Sequence, residues 1–222
     1  MDFRRDAVMR AVFNEQKKQF TPGQEQKCYL DYLLEEGKSL TEKQVQMLVW
    51  ETVIETSGTT VVTMEWATYE LAKDPIRQER LFQEIRKVCG TMKLREDMLN
   101  RIPSLTAVFH ETLRKHNPVA VVPLRYITIN LYGCNMDNKK WENPDQWLPE
   151  RFLDKKYDPM DLHKTMAFGG GKRVCAGALQ ASFIGCPAIG RFVQEFEWSL
   201  NDGEEDNVDT VSPLSNCTHF KS

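Results

Sequence analysis

Hydrophobic residues recur at helical spacing through the first half of the chain. Between about Thr41 and Lys73 they stand at positions 45, 48, 49, 53, 54, 61, 62, 64 and 66, which predicts a helix too apolar to lie on a surface. Because proline cannot continue a helix, Asp74 and Pro75 end this one and serve as N-cap and first residue of the next. That second helix is predicted to end at Gly90.

Two more helices are indicated in this half. The start of the chain, "MDFRRDAVMRAVFNEQKKQF", predicts an amphipathic helix with four hydrophobic residues on one face: Val8, Met9, Val12 and Phe13. Farther along, the segment "LTAVFHETLRKH" is predicted to begin at a cap on Ser104 and to end before Asn117 and Pro118.

The helical period stops after Pro118. The segments "VAVVPLRY" and "ITINLYGCN" predict short strands, and "WENPDQWLPERFLDKKYDPMD" is proline-punctuated and aperiodic. Helix returns only in "AGALQASFIGCPAIGRFVQEFEW", after Cys175. There are no repeats, and no Gly/Ser-rich linker divides the chain, so the pattern predicts a single unit that is mainly α with a small β component.

Composition narrows the possible functions. The 222 residues are 41% hydrophobic and 27% charged, as in an ordinary globular protein, and the net charge of -3 favours neither nucleic acid nor an anionic membrane as partner. The six cysteines contain no C-x-x-C, which argues against a zinc ribbon and a thioredoxin-like motif. No run of about 18 apolar residues is present, so neither a transmembrane span nor a signal peptide is expected.

The glycine-rich stretch "FGGGKRVCAG", residues 168–177, is the main candidate for chemistry. A phosphate-binding Walker A loop is excluded because Lys172 is followed by Arg173, and a dinucleotide motif is excluded because Val174 stands where glycine is required. The stretch "HETLR" is likewise no zinc-protease motif, because its fifth residue is Arg114 rather than histidine.

Two features remain open when each is considered alone. Glu111 and Arg114 are helical neighbours at the edge of the predicted core, and a lone pair of this kind is usually an exposed ion pair contributing under about 1 kcal/mol. Cys175 by itself could be a buried structural cysteine beside a glycine turn.

The motifs taken in order resolve this choice. E-x-x-R at 111–114, P-E-R-F at 149–152 and F-x-x-G-x-R-x-C-x-G at 168–177 follow one another, and this succession resembles the cytochrome P450 family. The resemblance implies the C-terminal portion of the P450 fold, an incomplete part of it, and an oxidoreductase that is a monooxygenase. It also implies haem b as cofactor, with Cys175 as the axial thiolate ligand of the haem iron.

The resemblance assigns further residues to the haem. Phe168, Gly171 and Gly177 are motif positions of the haem-binding loop. Arg125 stands where family members contact a haem propionate, and Arg173 is a second candidate. Lys172, Arg173 and the start of a helix all favour a thiolate at Cys175, and the glycines allow the backbone to approach a flat macrocycle.

The same resemblance gives roles away from the loop. Glu111, Arg114 and Arg151 would form a buried charged triad with a structural role. Thr59, in "ETSGTTVVTMEW", would be the catalytic residue that assists proton delivery during oxygen activation, on a helix distorted by Gly58 and its β-branched neighbours. The family usually has an acidic residue where Gly58 stands, so one part of that proton relay is expected to be missing.

The amino-acid sequence between the motifs resembles that of the plant ent-kaurene oxidases, which oxidise a diterpene in gibberellin biosynthesis. The partners implied are NADPH-cytochrome P450 reductase, which passes on electrons from NADPH, and a small hydrophobic diterpene. The resemblance implies anchoring in the endoplasmic reticulum or plastid outer envelope, whereas this chain, lacking an anchor, is expected to be cytoplasmic or peripheral.

Residues 1–200 are therefore predicted to be the C-terminal half of a P450 domain, and 201–222 an atypical, disordered tail. "PLRY" runs directly into "ITINLYG", where the family carries a further strand hairpin. An alternative hypothesis follows from these departures: a truncated or splice-altered product that lacks the distal half and is inactive or regulatory.

Overall fold

A computed structural model describes residues 3–123, 126–154 and 161–200, except for the side chains of Phe3 and Arg4. Its helices and strands are, in order, α1 Phe3–Gln19, α2 Tyr29–Glu36, α3 Glu42–Lys73, α4 Pro75–Cys89, α5 Pro103–Lys115, β1 Val121–Pro123, β2 Thr128–Asn130, α6 Leu131–Asn135 and α7 Ala178–Glu195. Short 3-10 turns lie at Glu96–Arg101, Pro149–Phe152 and Gly171–Arg173. This architecture confirms the expected mainly α fold with a small β component.

The chain divides into two compact units between Gly58 and Thr59, inside α3. The first unit has its own small core, built from one residue of α1, two of α2 and one of α3: Phe13, Leu30, Leu33 and Val45. The predicted apolar face of α1 was partly wrong, because Met9 and Phe13 are buried but Val8 and Val12 are 59% and 49% exposed. The buried pair is spaced four residues apart, and the valines precede it by one residue, which turns them about 100° away.

The second unit packs α4, α5 and α7 with the second half of α3. Its core includes six almost fully buried side chains: Leu71, Leu81, Ile85, Leu105, Phe109 and Ile189. Two glycines of α7 permit the close approach of its neighbours. A Cβ on Gly185 would stand 2.7 Å from Phe109 Cε2, and one on Gly190 would overlap Leu94 and stand 2.9 Å from Leu105 Cδ2. Any larger residue at these positions must displace the core.

Local end signals explain both ends of α4. Asp74 caps α4 by accepting a hydrogen bond from the Arg77 backbone N–H at 2.9 Å, with proline following it, and the helix ends at Gly90 with φ of +60°. These three predictions are confirmed. The predicted cap at Ser104 is wrong, because α5 begins at Pro103, and the Ser104 backbone N–H donates to the Glu84 carboxylate at 3.3 Å. The Glu84 side chain of α4 thus accepts the hydrogen bond from a backbone N–H near the start of α5, a role that a capping side chain would otherwise have.

Among the described residues, the two strands form one antiparallel pair. β1 and β2 align Val121 with Asn130 and Pro123 with Thr128. The second predicted strand was too long, because Leu131–Asn135 forms α6 instead. The Asn130 side chain accepts a hydrogen bond from the Gly133 backbone N–H at 2.8 Å, which caps that short helix and ends the strand.

Candidate functional site

The loop that carries Cys175 closes on itself immediately before α7. The Cys175 backbone N–H donates to the Phe168 carbonyl at 2.9 Å, and the Val174 N–H donates to the Gly171 carbonyl at 3.3 Å. Phe168 packs its partly buried ring against the main core, while Cys175 is a free, exposed thiol. The loop is therefore anchored at its apolar end and presents its sulfur outward.

Glycine is required in this loop for backbone geometry. Gly169 and Gly171 have φ of +70° and +69°, in the left-handed region that side chains disfavour. A Cβ built on Gly169, Gly170 or Gly171 would meet nothing within 4 Å. The surface over the loop is consequently open, and a flat ligand could lie directly against the backbone.

The sulfur also lies near the start of a helix. Gly177 is the N-cap of α7, makes no side-chain cap bond, and a Cβ placed on it would stand 3.9 Å from Cys175 Sγ. The unpaired N–H groups at a helix N-terminus favour a negative charge, which a thiolate supplies. Lys172 and Arg173 are exposed in the 3-10 turn just before it.

Behind the loop, Glu111 and Arg114 form a fully buried ion pair on α5. Arg114 Nε and Nη2 donate to the two carboxylate oxygens of Glu111, both at 2.7 Å, and both side chains are 0% exposed. Arg114 also donates to the carbonyls of Asn135 and Gln146, each at 3.0 Å, and lies 5.5 Å from the Trp141 ring centroid. The guanidinium is thus saturated by planar, fork-like contacts.

Arg151 joins this pair from the P-E-R-F segment. Its Nε lies 3.4 Å from Glu111 Oε1, and its Nη2 donates to the Asn143 carbonyl at 2.7 Å. Glu111 Oε1 also accepts a hydrogen bond from the Leu148 backbone N–H at 2.8 Å. The structure therefore brings the three predicted triad residues together and ties the irregular segment 143–151 to α5.

Asn135 extends this network to the Cys175 loop, a link that sequence reasoning missed. Its carbonyl accepts from Arg114, and its side-chain Oδ1 accepts from the Met166 backbone N–H at 2.8 Å, two residues before Phe168. Asn135 is 1% exposed. No motif marks this residue, since its role depends on where α6 lies relative to α5.

Thr59, the predicted catalytic residue, belongs to α3. Thr59 is half-buried on α3, and its carbonyl accepts from the Thr63 hydroxyl at 2.9 Å. The helix is not broken at Gly58, because α3 is continuous from Glu42 to Lys73. Arg125 lies outside the described residues.

Comparison with known proteins identifies the family. The cytochrome P450 family model matches residues 3–216. An ent-kaurene oxidase of Salvia miltiorrhiza is 54% identical over 237 residues, covering 99% of this chain and 46% of that protein. The chain belongs to the cytochrome P450 family. The resemblance predicted from the three motifs is thereby confirmed.

Other relatives support the same subgroup. Ent-kaurene oxidase 2 of Oryza sativa subsp. japonica is 52% identical, and the ent-sandaracopimaradiene 3-hydroxylase of the same plant is 46% identical, covering 94% and 95% of this chain. A solved zebrafish cytochrome P450 with abiraterone superposes with a TM-score of 0.78 at 26% identity, over 94% of this chain and 55% of that one. The chain spans less than half the length of the curated relatives, 44% to 46%.

P450 proteins hold a haem through a cysteine thiolate, and the loop fits that group. One exposed thiol on an open loop could hold an iron whose other ligands are supplied largely by a porphyrin. Among the described residues, no three His, Cys, Asp or Glu side chains gather as a metal site. Within the same residues, no helix is both long and apolar enough to cross a membrane.

Proposed function

We propose that the chain is part of a haem-thiolate monooxygenase of the ent-kaurene oxidase type, with Cys175 as the axial ligand of haem b. The observation that carries this proposal is the free, exposed thiol of Cys175 on an open glycine loop at the start of α7. When bound, the haem supplies oxygen activation. The chain's own residues hold the sulfur, shape the surface around it and keep the loop in place.

Each predicted residue has one task in this proposal. Phe168 anchors the loop in the core, Gly171 supplies its left-handed turn, and Gly177 lets α7 begin close to the sulfur. Arg173 is exposed and available to pair with a propionate, and Arg125 is proposed for the same task from the family's pattern. In this proposal, these residues would hold and orient the cofactor against the loop.

The buried triad acts as a structural support. Arg114, paired with Glu111, donates to the carbonyls of Asn135 and Gln146. Arg151 contacts Glu111 from the P-E-R-F segment. Thr59 on α3 is proposed to hold and pass a proton through its hydroxyl during oxygen activation. Gly58, beside it, carries no acidic group to complete a relay.

The proposed substrate is a small hydrophobic diterpene, as the names of the relatives indicate. NADPH-cytochrome P450 reductase is the proposed electron donor, and membrane association at the endoplasmic reticulum or plastid outer envelope is proposed for the enzyme. Residues 1–200 are proposed to form one P450 half-domain, with 201–222 as a tail.

Haem reconstitution of the full chain tests the cysteine's role. The reduced, carbon monoxide-bound protein should show the absorbance band typical of thiolate ligation, and Cys175→Ala should abolish it. Cys134→Ala is the matched control, because Cys134 is another exposed free thiol outside the loop and its loss should leave the band unchanged.

Thiol alkylation provides a second readout. Haem should slow modification of Cys175 while leaving Cys134 equally reactive, as measured by peptide mass spectrometry. Equal modification of both cysteines with and without haem, together with no thiolate band, would refute the proposal. Turnover of ent-kaurene with a plant reductase then separates the monooxygenase from the inactive or regulatory alternative.

A further inference from the structure

The segment that leads into the Cys175 loop is held by a side chain from elsewhere in the fold. The Met166 backbone N–H donates to Oδ1 of Asn135 at 2.8 Å, across 31 residues of sequence. Asn135 is the last residue of α6 and is 1% exposed, so this acceptor is shielded from solvent. One buried oxygen therefore fixes the chain two residues before Phe168, where the loop begins.

Asn135 is itself held from α5. Its backbone carbonyl accepts a hydrogen bond from Arg114 Nη1 at 3.0 Å. Arg114 is fixed in turn by two bonds of 2.7 Å to the buried carboxylate of Glu111. The place of the Asn135 side chain is therefore set by a buried ion pair and not by α6 alone, which is five residues long.

Two backbone bonds continue from Met166 to Cys175. The Met166 carbonyl accepts from the Gly169 N–H at 3.0 Å and closes the turn in which Gly169 has φ of +70°. Phe168 lies in that turn, and its carbonyl accepts from the Cys175 N–H at 2.9 Å. Fixing Met166 thus fixes the turn, and the turn carries the acceptor for the Cys175 N–H.

The amide of Asn135 is used for its oxygen. The donor at Met166 is an N–H, which requires Oδ1 rather than Nδ2 to face it. Among the described residues, the buried Nδ2 has no hydrogen-bond partner. A buried unpaired donor is destabilising, and a leucine of similar size would avoid that loss. The position therefore gives up stability to keep one acceptor in one place, as a positioning group does.

We propose that Asn135 is a positioning residue for Cys175: its Oδ1 fixes Met166, and the turn that follows sets where the sulfur stands at the start of α7. This inference rests on the proposed function, because it concerns the thiol proposed to bind iron. A bond with a purely local role would matter to the Met166 amide alone. A positioning role requires that loss of Oδ1 also changes the far end of the loop.

Amide hydrogen exchange, measured residue by residue by NMR, tests this coupling without any cofactor. In Asn135→Leu, the Met166 amide should exchange about tenfold faster than in the parent chain, the factor expected from one lost hydrogen bond. The Gly169 and Cys175 amides should become faster as well, although neither bonds to Asn135. The Gly90 amide at the end of α4 should keep its rate. An unchanged rate at Cys175, or an equal rise at Gly90, would overturn the proposal.

Two further variants separate the loop bond from the stability of α6. Asn130→Ala is the matched control, because Asn130 Oδ1 also accepts a backbone N–H at 2.8 Å, from Gly133, at the other end of α6. Its loss should leave the Cys175 amide at the parental rate. Asn135→Asp keeps an acceptor oxygen in the same place and should restore the slow exchange. An equal effect of Asn130→Ala, or no recovery in Asn135→Asp, would overturn the proposal.

Haem reconstitution of the full chain gives a spectroscopic readout. The fraction of bound haem that shows the thiolate-type carbon monoxide band should fall about tenfold in Asn135→Leu, by the same loss of one hydrogen bond. Asn135→Asp should recover it, and Asn130→Ala should keep it. If Asn135→Leu does not fold, Asn135→Ser takes its place, because its side chain is one bond shorter. A parental fraction in the variant that lacks the acceptor would overturn the proposal.

The two hypotheses fail separately. If the parent chain shows no thiolate band while exchange at Cys175 responds to Asn135→Leu, the proposed function fails and the coupling through the loop stands. If the parent chain binds haem through Cys175 and Asn135→Leu does so equally well, the positioning role fails and the haem site stands.

Discussion

Replacing Arg114 with methionine should destabilise the chain strongly. The guanidinium is 0% exposed and donates to both oxygens of Glu111 at 2.7 Å. In Arg114→Met, the Glu111 carboxylate stays fully buried with the Leu148 N–H and the 3.4 Å contact from Arg151. The substitution keeps similar bulk, so the effect measured is mainly the loss of charge and hydrogen bonds.

The expected cost follows from that burial. Removing one partner of a buried ion pair costs about 3–5 kcal/mol when the remaining charge is uncompensated. Because Arg151 still lies 3.4 Å from Glu111, we expect a loss at the lower end of that range, about 3 kcal/mol. The carbonyls of Asn135 and Gln146 also lose a donor. Since domains of this kind are stable by only about 5–15 kcal/mol in total, the variant should be close to unfolding.

Urea unfolding of the full chain, followed by circular dichroism, measures the loss. Arg95→Met is the matched control, because Arg95 binds Asp97 through the same two-nitrogen contact, at 2.9 and 2.7 Å, with side chains 65% and 61% exposed. An exposed pair of this kind contributes under about 1 kcal/mol. Equal destabilisation by the two substitutions would refute the argument from burial.

A double variant keeps the test informative if Arg114→Met does not fold. Glu111→Leu combined with Arg114→Met removes both charges, so no isolated carboxylate remains in the core. This variant should be more stable than Arg114→Met alone, because replacing a whole buried pair costs less than breaking it. A double variant that is as unstable as the sum of its two single variants would contradict this reasoning.

Four other substitutions and one thiol-modification experiment give contrasting outcomes. Gly190→Ala should lower the unfolding free energy by about 1–3 kcal/mol, because the added methyl group overpacks the core. Gly58→Ala should raise it by about 0.5–1 kcal/mol, because Gly58 lies in the helix interior and a Cβ there would meet nothing within 4 Å. A lower melting temperature for Gly58→Ala than for Gly190→Ala would contradict this. Asp74→Ala should lower the free energy of unfolding by about 1 kcal/mol, because the α4 cap is lost. Ser104→Ala should change it by less than about 0.5 kcal/mol. Equal urea midpoints for the two variants would count against the cap assignment. Burial raises the pKa of Cys186 to about 12, so at pH 8 a thiol reagent should modify Cys134 and leave Cys186 intact in peptide mass spectrometry.

Features that depend on adjacent residues were accessible from the sequence. Asp74 and Pro75 start α4 through a side-chain cap and a fixed φ, and Gly90 ends it through a positive φ, all of which are local effects. The three motifs at 111–114, 149–152 and 168–177 likewise carried the resemblance to the P450 family, which the comparisons confirm. These features can be predicted from the sequence because the interacting residues lie within a few positions of one another and do not depend on tertiary packing.

Features that depend on distant partners were missed. Ser104 offered a plausible cap, but Glu84, twenty residues earlier, binds its N–H instead. Asn135 appeared to end a strand, yet it lies in a helix that joins Arg114 to the Cys175 loop. Neither partner is visible in a local pattern.

The sequence by itself determined the ends of α4, the mainly α composition and the candidate thiolate ligand. Only the tertiary structure decided that Glu111 and Arg114 are a buried fork rather than a surface pair, and that His116 meets Glu70 across 46 residues. Spacing along a helix fixes which side chains are neighbours, but burial is set by what packs over them. The energetic weight of an ion pair depends on that burial, and therefore on the fold.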